Sequence, residues 1–96
     1  IVLACDLAIA AEHAVFSLPE PLVGLAALGG GGLQRLVRQV PLKHAMRLIL
    51  TAERIGAERA AEIGLINEVV PAAELMTRAR ELARQIVRCA PLAIEA

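Results

Sequence analysis

The chain has almost no aromatic residues: Phe16 is the only one, with no Trp and no Tyr. That removes the stacking platform on which single-stranded nucleic acid is held. It also has no excess charge, since ten basic and ten acidic residues balance to a net charge of zero. No global field therefore draws it to nucleic acid or to an anionic membrane. Cysteine is scarce, and Cys5 and Cys89 belong to no CxxC or Cys/His spacing, which argues against a metal site. Two buried thiols in a reducing, cytoplasmic setting is the expectation for them. No uninterrupted apolar run reaches the roughly 18 residues of a membrane span, because Gly29 to Gly32 break the longest candidate. An initiator Met is missing as well, and IVLAC starts in mid-pattern without a cap or polar lead-in, so further sequence is expected before Ile1. No internal repeat or linker is visible, and residues 1–96 read as part of a single domain.

What is present in excess is aliphatic. Hydrophobic residues make up 57% of the 96, mostly Ala and Leu, against about 45 to 50% in ordinary domains. A body of this size buries only about 60 to 65% of its unfolded surface. Apolar area should remain uncovered, as it does at an oligomer interface or where another part of a domain packs.

Against this apolar background one charge stands out. Between Glu12 and Arg35 the only charged side chain is Glu20, held between Pro19 and Pro21. Each proline restricts its own φ, and Pro21 also biases Glu20 to extended geometry, so the backbone carrying the carboxylate is stiff. A carboxylate in apolar surroundings has its charged form disfavoured, and a raised pKa lets it hold a proton near neutrality. That is the requirement for a general acid. The same residues also allow a plain loop glutamate between two elements.

Taken in order, Ile1 to Ala4 read as the last turn of a helix that ends near Cys5 and Asp6. Leu7–Ala10 and Ala14–Leu18 read as two short strands, or a strand pair, around the polar turn Ala11-Glu12-His13. In the second run Ala14, Phe16 and Leu18 share one face. A helix should open at the glycines, carry Leu33, Leu36, Val37 and Val40 inward, and stop before Pro41. The next helix places Leu42, Ala45, Met46, Ile49 and Leu50 on one stripe, with Lys43, His44 and Arg47 outside. Gly56 should cap a short helix AERAAEI that Gly64 terminates. A strand over Leu65–Val70 precedes Pro71, and a long helix from about Ala72 to Cys89 carries Leu75, Ala79, Leu82, Ala83, Ile86 and Val87. Its charged face offers a Glu74–Arg78 pair at i, i+4 spacing, worth about 0.2 to 0.5 kcal/mol.

The segments ACDLAIAAEHAVFSLPEPLVGL, GGGGLQRL and MRLILTAERIGAERAAEIGLINEVVP, with the last helix running into APLAI, together resemble the crotonase family, the enoyl-CoA hydratases and isomerases. Several motifs agree in order and spacing, and the resemblance covers the whole chain. It implies an α/β fold, part of a spiral of ββα units followed by helices, with the upstream part of the domain outside these residues. It also implies assembly as a homotrimer or a pair of trimers. The implied chemistry is acid/base work at the α-carbon of an acyl-CoA thioester whose enolate is held by two backbone N–H groups, the term that usually dominates such catalysis. The substrate itself carries the coenzyme A, and no separate cofactor is implied. Glu20, in its LPE context, matches the second of the two glutamates of family hydratases. The first belongs to a GGG-x-E type motif that would fall immediately before Ile1 and would also supply one of the oxyanion N–H groups. Leu28, Gly29 and Gly30 fall where the family binds substrate or positions water. Here the chain departs from the pattern, with GLAALGGGG and no proline where hydratases often have GxxPGAGG. Backbone N–H groups at the start of the following helix can still polarise a water or a carbonyl oxygen, though the glycines also suit a close-packed turn.

The remaining polar residues give weaker signals. His13 falls in a polar turn and His44 on an exposed helix face, neither with a partner at triad or ligand spacing. Asp6 reads as a structural hydrogen-bonding residue, Ser17 as a position requiring small size, and Arg35 as a side chain that packs or pairs beside the glycine loop.

Overall fold

A computed structural model describes residues 2–18 and 32–89. A 3-10 turn, Val2–Ala4, opens the chain. Strands β1 (Ile9–Ala11) and β2 (Val15–Phe16) follow, separated by a tight turn in which the Ala14 N–H donates to the Ala11 carbonyl at 3.0 Å. Helices α1 (Gly32–Gln39) and α2 (Leu42–Thr51) come next, then β3 (Ile55–Gly56), α3 (Ala57–Glu62), β4 (Glu68–Val70) and, after a 3-10 turn at Ala72–Glu74, α4 (Leu75–Val87).

The two strands around the Glu12-His13 turn do not pair with each other. β1 runs parallel to β4, with Ile9 opposite Glu68 and Ala11 opposite Val70. β2 runs antiparallel to β3, with Phe16 opposite Ile55. Parallel pairing needs a long crossover, and the segment between β1 and β4 includes three helices. Asn67 fastens the start of that pairing from both sides: its N–H donates to the Ala8 carbonyl, and its Oδ1 accepts from the Ala8 N–H, both at 2.8 Å. The strand alternation holds, since Ala14, Phe16 and Leu18 are half-buried while Val15 and Ser17 are exposed.

The core gathers Ala10, Leu36, Val40, Ala45, Leu48, Ile55, Ala60, Ile63 and Ile66. α1 begins at Gly32 and stops before Pro41, with Leu36 and Val40 of its expected stripe buried and Arg35 exposed, whereas Val37, expected inward, is 37% exposed. For α2 the expected stripe is turned. Ala45 and Leu48 are buried, whereas Leu42 and Leu50 are 62% and 71% exposed. The helix has apolar residues over more than half of its circumference, so periodicity alone leaves the buried face open, and packing against α1 accompanies burial along the 45/48/52 line. α3 ends in a Schellman motif: the Leu65 N–H reaches the Ala60 carbonyl at 2.9 Å, the Gly64 N–H reaches that of Ala61 at 3.2 Å, and Gly64 takes φ 87°.

α4 contains no buried residue. Leu75, Ala79 and Leu82 are half-buried beside Leu7 and Ile9, leaving an apolar groove of about 310 Å³, while Val87 is 78% exposed. The expected Glu74–Arg78 pair gives way to a different one. Glu74 lies in the 3-10 turn, outside the α-helical spacing, and Arg78 instead forms a two-pronged pair with Glu68 of β4 at 2.8 and 2.9 Å and a third contact with Glu81 at 3.1 Å. The Arg78 hydrogen bonds hold the Glu68 carboxyl below the ordinary glutamate range and push the guanidinium up. Both cysteines are exposed rather than buried. Cys5 follows the surface turn at Val2–Ala4, and Cys89 trails a helix that buries nothing.

Candidate functional site

Beside β2 the structure opens a cleft of about 340 Å³. Phe16, Ser17 and Leu18 form one wall, continuing β2 toward residue 19, and Val15 joins them at the rim. Val2 and Leu3 of the opening turn, Leu36 of α1, Leu48 of α2 and Leu65 supply the rest. The Gln39 amide anchors the opening turn against α1 by donating to the Leu3 carbonyl at 2.8 Å.

Ser17 is the only polar side chain among those lining residues, and none of them ionises. Such a cleft suits an apolar group. A carboxylate entering it would be desolvated, and its pKa would rise.

The sequence candidates Glu20, Leu28, Gly29 and Gly30 lie outside the described residues, so no geometry is assigned to them. The described chain does come to the cleft on both sides of that segment, with Leu18 in the wall and α1 contributing Leu36. Ser17 is exposed on the cleft wall. His13 is exposed in its turn, whereas His44 is half-buried beside a separate, polar recess. Among the described residues no group of three His, Cys, Asp or Glu side chains could hold a metal ion. Among them too, no helix is long and apolar enough to cross a membrane.

Sequence reasoning missed most of the lining. Val2, Leu36, Leu48 and Leu65 come from four separate places in the chain, and only the β2–β3 pairing and the helix contacts bring them together. For Leu48 a signal existed: its i, i+4 relation to Ala52, and to Ala45 at i−3, marks the alternative stripe of α2.

A family model described as "Enoyl-CoA hydratase/isomerase" matches residues 1–96. The carnitinyl-CoA dehydratase of Escherichia coli (strain K12) is 45% identical over 94 residues, covering 98% of this chain and 36% of that protein. The short-chain-enoyl-CoA hydratase of Clostridium acetobutylicum is 45% identical over 95 residues, 99% of this chain and 36% of that one. The crystal structure of carnitinyl-CoA hydratase from Mycobacterium avium superposes with a TM-score of 0.91 at 48% identity, over 97% of this chain and 35% of that structure. The chain thus spans about 36% of the length of the curated relatives it matches.

Proposed function

The chain belongs to the enoyl-CoA hydratase/isomerase family, and from that premise we propose that the protein adds water reversibly across the 2,3 double bond of an enoyl-CoA thioester. Its fold is the matching part of that family's α/β fold. The observation that carries the functional reading is the family match running without a break through residues 1–96, with Leu18-Pro19-Glu20 inside it.

In this reading Glu20 gives a proton to the α-carbon in hydration and removes it in dehydration. The hydroxyl of water adds at the β-carbon, and a second carboxylate takes the other proton of that water. The negative charge that builds on the thioester oxygen rests on backbone N–H groups in a dry site. By the family pattern the second carboxylate and these donors precede Ile1. Leu28, Gly29 and Gly30 place substrate or water.

The cleft supports this assignment. Two residues of chain extend at most about 7 Å, so Glu20 follows within that reach of Leu18 in an apolar wall. The cleft's lining would favour the protonated carboxyl that the hydration direction needs. Residues 1–96 form part of one crotonase-like domain, the substrate brings its own coenzyme A, and the protein assembles as a trimer or a pair of trimers.

A second reading is isomerisation, which the matched family's description names beside hydration. There one carboxylate moves a proton between two carbons and water stays out. The two separate in one experiment with the protein as its host produces it. Crotonyl-CoA should lose its conjugated-thioester absorbance and yield 3-hydroxybutyryl-CoA if hydration is right. Conversion of vinylacetyl-CoA to crotonyl-CoA, with no hydroxy product from either, would replace hydration by isomerisation.

A further inference from the structure

On the far side of Leu48 from the cleft lies a second recess, of about 230 Å³. Its character is the opposite of the cleft's. His44 and Arg47 of α2, Arg54 before β3 and Arg59 of α3 converge on it, together with a single carboxylate, Glu53. Buried Ile55 and Ile63 form its floor.

Three guanidinium groups around one recess repel each other unless anions intervene. Two have internal partners: Arg47 Nε lies 3.0 Å from Glu53 Oε1, and Arg59 Nη1 lies 2.9 Å from Glu62 Oε2. Arg54 makes no ion pair among the described residues. The lining therefore keeps a net positive charge, set over an apolar floor that screens it less than open water would. Planar guanidinium forks pair bidentately with the oxygens of carboxylates and phosphates alike, and a phosphate has enough oxygens to engage two forks at once. The volume admits one such group with several waters, each taking about 30 Å³.

We propose that this recess binds a phosphate-type oxyanion, held by the guanidinium groups of Arg54 and Arg59, independently of the apolar cleft and of the reaction assigned to it. Two carboxylates are then internal competitors that limit affinity: Glu62, which already pairs with Arg59, and Glu53, which occupies Arg47.

The test is a titration of the ¹⁵N-labelled chain with inorganic phosphate, following the backbone amides of Ile55 and Gly56 and the arginine Nε–H signals. Sodium chloride at matched ionic strength serves as the control. Saturable shifts are expected with phosphate only. Arg54→Gln should weaken binding by about ten-fold or more, the size of one lost charge-assisted hydrogen bond. Arg59→Gln should do the same, and Glu53→Gln should tighten binding. A parallel titration with coenzyme A separates the sources: much tighter binding than phosphate points to a phosphate carried on that molecule, and equal binding to the free ion. Equal shifts with chloride, or binding unchanged in both arginine variants while circular dichroism shows them folded, would overturn the site.

Discussion

Leu48 and Leu50 sit two residues apart on α2, and the fold makes opposite demands of them. Leu48 is 5% exposed and Leu50 71%. Truncating Leu48 to Ala removes three buried carbons, about 2.4 kcal/mol at roughly 0.8 kcal/mol each. The added cavity cost should be small, because Leu48 already borders the cleft on one side and the cationic recess on the other, and a void there opens into existing space. Leu48→Ala should therefore cost about 2.5 to 3 kcal/mol, in the lower part of the range of about 2 to 5 for such substitutions. Leu50→Ala should cost less than about 0.7 kcal/mol, since most of that side chain is in water already and Ala favours the helix. The assay is urea unfolding followed by far-ultraviolet circular dichroism, because a chain with one Phe and no Trp or Tyr has no useful intrinsic fluorescence. With a urea slope of about 1 to 1.5 kcal/mol/M, Leu48→Ala should lower the midpoint by roughly 2 M and Leu50→Ala by less than about 0.7 M. Equal losses, or a larger one at Leu50, would refute the packing of α2 described above and restore the 42/46/50 face as the buried one.

Three further outcomes follow from local geometry. Gly64→Ala should lose about 1 kcal/mol in the same assay, since φ 87° is strained for any residue with a Cβ; Gly56→Ala, where an added Cβ meets nothing within 4 Å and φ is −77°, should be neutral or slightly stabilising. Asn67→Ala leaves the Ala8 N–H without its side-chain acceptor and should cost about 1 kcal/mol, with faster hydrogen exchange at the amides joining β1 to β4. The depressed Glu68 pKa means that its pairing with Arg78 stabilises the fold above the ordinary value of 4.5 and that this contribution fades as pH falls through the lower, folded value. Arg78→Gln should accordingly flatten the loss of stability below pH 4.5 at the β4–α4 junction, and an unchanged acid profile would contradict the pairing.

The elements whose ends are written in backbone chemistry were legible from the sequence. Pro41 stops α1 and Gly64 closes α3, each where the residue's own φ preference requires, and Gly56 stands at the N-cap of α3 in extended geometry. What could not be read were the long-range choices. β1 passes over its neighbour β2 to pair with β4, and Arg78 takes Glu68 from a strand in place of Glu74 from its own stretch. α2 is apolar around more than half of its surface, so its buried line is decided by tertiary packing, with α1 among its partners, rather than by its own period. The candidate site divided in the same way. Glu20 stood out because it is the only charge in a long apolar stretch, whereas the cleft lined by Phe16 to Leu18 is assembled from residues with no shared local signal.

The central claim is that Glu20 is the proton carrier at the α-carbon, and Glu20→Gln tests it most directly, with crotonyl-CoA hydration followed in the full protein as its host makes it. The glutamine keeps the size and removes the transferable proton. A rate lower by about 10² to 10⁴, the usual contribution of a general acid or base, with thermal stability unchanged, is the predicted result. A variant that hydrates crotonyl-CoA at the original rate would return Glu20 to the role of an ordinary loop carboxylate.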